Sequence, residues 1–112
     1  MSETRSEDDR RNAPGSDGPL SDGPFSRQMQ IVNRKGLHAR ATAKFVQCVE
    51  RFDADIKVAR CGETVGGDSI MGILTLGAGL GATITVFASG AEAREALDAL
   101  ADLVSSRFGE DE

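Results

Sequence analysis

Apolar and polar positions follow two periods along this chain. Met29-Gln30-Ile31-Val32 reads as a strand, ended by a turn over Asn33–Gly36. Phe45, Val46, Val49 and Phe52 then recur at helical spacing, with Ala39, Ala41 and Ala43 around them, predicting a helix from about His38 to about Phe52. Ile56–Ala59 is a short alternating strand, and Cys61-Gly62 turns it into a second at Thr64-Val65. Ile70, Met71, Ile73 and Leu74 make a brief helical patch closed by Gly77 and Gly79. Thr83–Phe87 is the strongest strand, β-branched and ending on an aromatic ring. Ser89-x-x-Glu92 has the form of a capping box, and behind it Ala96, Leu97, Leu100, Leu103 and Val104 mark an amphipathic helix. The order β-α-β-β-α-β-α predicts an α+β fold, with helices on one face of a mostly antiparallel sheet.

The stretch before this pattern has a different composition. Pro14, Pro19 and Pro24, with Gly15, Gly18 and Gly23, sit among charges and few apolar side chains, so residues 1–25 are expected to form a disordered tail. A single domain is expected over 26–108, followed by a short acidic tail at 109–112. The two SDGP stretches, Ser16–Pro19 and Ser21–Pro24, read as low complexity.

Charge divides along the chain. Residues 26–60 carry eight basic and three acidic side chains, whereas residues 61–112 carry two basic and nine acidic ones, within a total of -5 over 112 residues. An acidic chain is a poor general binder of nucleic acid, and a locally basic segment within it suits an anionic ligand or an acidic partner. The same charges also fit a solvated helix face. Cys48 and Cys61 are too few for a disulfide framework and match no zinc spacing, so two reduced thiols are expected. No apolar run reaches the ~20 residues of a membrane span, and the first residues lack the apolar stretch of a secretory signal. A cytoplasmic protein is expected.

The candidate chemistry centres on His38, the single histidine, placed after Gly36 and at the start of a predicted helix. A helix N-terminus offers unpaired N–H groups and the positive end of the dipole, a ready phosphate site. An imidazole supplies a nucleophilic nitrogen near neutral pH. Arg40 can donate charge-assisted hydrogen bonds to phosphoryl oxygens, and Gly36 leaves the turn unobstructed. Nucleophile, oxyanion site and cation thus lie within one short segment. On its own a histidine at a helix start is also an ordinary cap or surface residue.

Gly36-Leu-His38-Ala-Arg40-Ala-Thr-Ala-Lys-Phe45-Val46 resembles the phosphorylation-site segment of HPr, the histidine-containing phosphocarrier family of the bacterial phosphoenolpyruvate-dependent phosphotransferase system. Gly67-Asp-Ser69-Ile-Met71-Gly-Ile-Leu74-Thr-Leu76-Gly77 resembles that family's regulatory serine segment, and the likeness covers about residues 27–108. It implies an open-faced β-sandwich, a four-stranded antiparallel sheet covered by three helices on one side. It implies that His38 takes a phosphoryl group from phospho-Enzyme I and gives it to IIA-type acceptors, with Arg40 contacting that group. Ser69 would be the target of an ATP-dependent kinase, HPr kinase/phosphorylase, and Ile70, Met71 and Leu74 would dock partners. The family usually has proline where this chain has Ala41; either residue suits a first helical turn.

Without the resemblance, Ser69 reads as an N-cap, and Ile70, Met71 and Leu74 read as core at helical spacing. Gly77, Gly79 and Gly81 precede a strand, so they read as turns of positive φ and not as a dinucleotide fingerprint. No metal or cofactor is implied, a monomer is expected, and the protein would be a carrier dependent on Enzyme I, not an independent turnover enzyme. Two alternatives stand beside sugar uptake: the same chemistry used for signalling in a nitrogen-type branch, and a non-catalytic interaction module. An RNA-binding module would need stacking aromatics on its central strands, and the chain has no Tyr or Trp.

Overall fold

The computed structural model describes residues 24–110. Its elements run β1 (Phe25–Gln30), α1 (Ala39–Val49), β2 (Asp55–Arg60), β3 (Glu63–Gly66), α2 (Ile70–Thr75), β4 (Thr83–Ser89) and α3 (Ala93–Ser105), then one 3-10 turn at Arg107–Gly109. The strands form a single four-stranded antiparallel sheet in the order β1-β4-β2-β3. The predicted order of elements and the α+β class are both observed. The expected tail lies almost wholly outside the described residues.

Alternation of side chains decides which face of the sheet is covered. On β4, Ile84, Val86 and Ala88 are buried, while Phe87 remains 38% exposed among the outward positions. Ile56 and Val58 on β2 and Met29 on β1 complete the inner face. Onto it pack the apolar faces of the two longer helices: Ala41, Phe45, Val46 and Val49 from α1, and Ala96, Leu97, Leu100 and Val104 from α3. α3 lies against β1 and β4, and α1 lies against α2 and α3. No helix among the described residues is long and apolar enough to cross a membrane.

Three local readings change. β1 begins at Phe25, earlier than its apolar pattern suggests, because a ladder from Phe25↔Ala88 to Gln30↔Thr83 recruits the polar Ser26, Arg27 and Gln28. The Ser89/Glu92 capping box does not form. Ser89 ends β4 opposite Asp55, and α3 starts at Ala93 with Glu92 as an N-cap that makes no side-chain bond to its own helix. The Glu92 carboxylate instead accepts a 2.6 Å bond from the Asp53 N–H, tying the α1–β2 connection to the start of α3. Among the three loop glycines, Gly77 and Gly81 take φ of 64° and 89°, but Gly79 is not in the left-handed region. The β2–β3 hairpin closes through Cys61 and Gly62, at φ 52° and 86° between the paired Arg60 and Glu63. Two successive positive φ values match the right-handed strand twist, as in type I′ turns.

Candidate functional site

The loop before α1 is held by contacts to the loop before β4. Leu37 N–H donates to Ala78 O at 2.8 Å, and Gly81 N–H donates to Ile31 O at 2.8 Å. Gly36 takes φ 67°, and a Cβ there would lie 2.7 Å from both Ala78 O and Gly79 Cα. Any side chain would push the two loops apart, so this glycine serves close approach as well as the turn. Asn33, fully buried, donates from Nδ2 to Gly36 O at 2.8 Å and tightens the same loop. Thr42, also fully buried, donates from its hydroxyl to Leu37 O at 3.2 Å.

His38 follows as the N-cap of α1, in extended conformation at φ -75° and ψ 179°. Its Nδ1 accepts the N–H of Arg40 at 3.2 Å, so the ring occupies the place where Ser or Asp would cap a helix. The side chain is 24% exposed, neither sealed in the core nor free in solvent. Arg40 lies in the first turn and is exposed. The first turn of α1 holds no acidic residue of its own to offset the helix dipole. An anion beside Nδ1 would meet main-chain donors on one side and could be reached by a guanidinium.

The other ring nitrogen has a partner that local sequence did not suggest. His38 Nε2 lies 2.6 Å from Glu110 Oε2, and Glu110 Oε1 accepts from Asn33 Nδ2 at 3.2 Å. The sequence reading sets Glu110 apart as acidic tail, yet here its carboxylate closes over the histidine. The chief cause holding the Glu110 carboxyl below its ordinary pKa is the hydrogen bond with His38. Burial opposes that shift, while Asn33 and the charges of His38 and Lys35 add to it. Arg107 and Phe108 stand at φ 61° and 56°, a region costing non-glycine residues about 1–2 kcal/mol each. Strain of this kind persists where its surroundings over-determine it. The Phe108 ring is 1% exposed within the core, and its carbonyl is bonded to Lys44.

Ser69 is the N-cap of α2, and its hydroxyl oxygen accepts the Gly72 N–H at 3.0 Å. The next turn splits by face. Ile73 is fully buried, whereas Ile70 is 41% and Met71 71% exposed, and Leu74 is half-buried. Helical spacing alone would have placed them all in the core. Because α2 has six residues, packs on α1 and β3 and carries one fully buried position, Ile70 and Met71 are left facing outward.

Comparison with known proteins agrees with this architecture. The family model described as the PTS HPr component phosphorylation site matches residues 25–106. A phosphocarrier protein HPr from Cupriavidus necator is 45% identical over 79% of this chain and 99% of its own length. A phosphocarrier protein NPr from Shewanella violacea is 40% identical, over 77% of this chain and 94% of its own. Among solved structures, an HPr from Thermoanaerobacter tengcongensis superposes with a TM-score of 0.76 at 40% identity, covering 79% of this chain and 99% of that one. By fold and by sequence over its described domain, this chain belongs to the HPr family of phosphotransferase-system phosphocarriers.

Proposed function

We propose that His38 is the phosphoryl acceptor and donor, taking the group from phospho-Enzyme I and passing it to IIA-type acceptors. The observation that carries this reading is the ring at the N-cap of α1, with Nδ1 facing the Arg40 N–H at 3.2 Å. A phosphoryl group on Nδ1 would sit among the first N–H groups of the helix, and the exposed Arg40 guanidinium can swing onto its oxygens. The N–P bond of a phosphohistidine is a phosphoramidate, so the group passes onward with no further energy input. A shallow site with few ligands suits a carrier, because a tighter grip would retain the cargo.

Ser69 is proposed as a regulatory phosphorylation site, and Ile70, Met71 and Leu74 as part of the docking surface. Exposed Met71 fits a surface that must accommodate several partners. A phosphate on Ser69 would gain from the first N–H groups of α2, yet would set about two negative charges beside that apolar patch. The test is incubation with Enzyme I and phosphoenolpyruvate, looking for an acid-labile, base-stable phosphate. His38→Ala should abolish the label and Arg40→Ala should slow transfer; normal labelling of the His38→Ala chain would refute the assignment. HPr kinase and ATP should label Ser69 stably, and an unlabelled Ser69 removes that regulatory role.

A nitrogen-type signalling branch is the second reading, since it would use the same phosphoryl chemistry at His38. The same assay run with acceptors of both branches separates the two by relative transfer rate. A monomer is expected, although one of the similar structures, at 43% identity, is an HPr dimer from Thermoanaerobacter tengcongensis. Sedimentation of this chain decides between them.

A further inference from the structure

After α3 the chain doubles back toward the start of α1. Phe108 anchors this return in the core, Lys44 Nζ holds its carbonyl at 2.7 Å, and the Glu110 N–H closes onto Arg107 O at 2.9 Å. The left-handed backbone at Arg107 and Phe108 belongs to the short 3-10 turn that follows α3. What it achieves is delivery of one carboxylate to one imidazole.

Both oxygens of that carboxylate are engaged. Oε2 meets His38 Nε2 at 2.6 Å, and Oε1 meets Asn33 Nδ2 at 3.2 Å. The same Asn33 nitrogen donates to Gly36 O, two residues before the histidine. Asn33 is fully buried, and its Oδ1 has no hydrogen-bond partner among the described residues. A buried amide with an unused acceptor is costly, so its orientation answers to the two donations that Nδ2 makes. On the far side of the ring, Nδ1 accepts the Arg40 N–H across a long 3.2 Å, which only leans toward an unprotonated Nδ1, and the 2.6 Å contact of Nε2 with Glu110 makes that tautomer the dominant one. The proton of the neutral ring then sits on Nε2 and is donated to Glu110.

We propose that Glu110, held by Asn33, is a positioning residue for phosphoryl transfer. It keeps the ring proton on Nε2, aims the Nδ1 lone pair toward the mouth of α1, and faces the positive charge that N-phosphorylation creates. The inference rests on His38 being the phosphoryl carrier. In the step itself the Nδ1 lone pair forms the new N–P bond while the N–P bond of a donor phosphoramidate breaks, its electron pair remaining on the donor nitrogen. The proton stays on Nε2 throughout, and the carboxylate opposite it stays ionised. Onward transfer reverses the sequence, returning the N–P pair to Nδ1.

The full-length chain, uniformly 15N-labelled, provides the test through long-range proton–nitrogen spectra of the His38 ring, run beside phosphorylation kinetics with Enzyme I and phosphoenolpyruvate. Wild type should show one protonated ring nitrogen, Nε2. Glu110→Ala should shift both ring nitrogens toward the average of two exchanging tautomers and slow phosphorylation roughly ten- to a hundredfold, the range seen when a metal-bound histidine loses its outer hydrogen-bond partner. Glu110→Gln retains an acceptor oxygen without the charge, and should keep the Nε2 proton while still slowing transfer. Amide spectra confirm that each variant remains folded. Unchanged ring shifts in Glu110→Ala, or wild-type transfer rates in both variants, overturn the proposal. If wild type itself takes no phosphate, the carrier reading falls and this inference falls with it; a labelled wild type beside indifferent variants refutes the inference alone.

Discussion

Lys44 Nζ donates a 2.7 Å hydrogen bond to the main-chain carbonyl of Phe108, joining the middle of α1 to the turn that follows α3. The contact satisfies one of the carbonyls left unpaired beyond a helix end, with a charged donor. It also fixes the stretch that carries Glu110.

Loosening that stretch should therefore be measurable in two graded steps. Lys44→Met keeps most of the aliphatic stem and removes the donor, and should lower unfolding free energy by about 1–2 kcal/mol. Phe108→Ala opens a cavity where a ring 1% exposed now sits, and should cost about 3–5 kcal/mol. Denaturant melts give both values, and amide exchange should quicken at 107–110 in the first variant. Equal melts for wild type and Lys44→Met would mean that the charged bond adds nothing to the anchoring.

Acid should weaken the same region through Glu110. Its carboxyl lies below the ordinary value of 4.5, chiefly because of the hydrogen bond with His38. A carboxyl whose folded pKa is depressed stabilises the fold above its unfolded pKa, and that contribution is lost as pH falls through the folded value. From neutrality down to about pH 4.5 the Glu110 contribution should be intact, and below that it should decline. Comparing pH-dependent melts of wild type and Glu110→Gln isolates it: the difference between them should shrink on acidification. A difference that grows as pH falls contradicts the assigned contact.

The two cysteines should separate cleanly in reactivity. Cys48 is buried in α1, and burial pushes its thiol pKa up against the opposing charge of Arg51; Cys61 is exposed at the hairpin turn. A thiol reagent at pH 8 should modify one equivalent quickly and the second only on unfolding, since the thiolate is the reacting form. Cys61→Ala should abolish the fast phase. Because the folded pKa of Cys48 is raised, its contribution to stability is complete below the unfolded thiol pKa and is lost as pH rises through the folded value.

Much of this molecule could be read along the chain because its causes are local. A period of two at Thr83–Phe87, a period near 3.6 in α1 and α3, and the turn residues Cys61-Gly62 each act on neighbours in sequence, so element order and the α+β class followed. His38 at a helix start belongs to the same kind of information, since a cap and its helix are adjacent.

The rest depended on distance. Periodicity does not say which residues of α2 face inward, and only packing on α1 and β3 separated buried Ile73 from exposed Ile70 and Met71. The Ser89/Glu92 pair had the right spacing for a cap, but the β2–β4 ladder claimed Ser89 and the Asp53 N–H claimed Glu92. Glu110 lies 72 residues from His38 and 77 from Asn33, in a stretch whose composition reads as solvated tail. A hydrogen bond needs its partners within about 3 Å, whatever the chain length between them. No local pattern records that meeting; it exists only once Phe108 is buried and the backbone around it is forced into a left-handed turn.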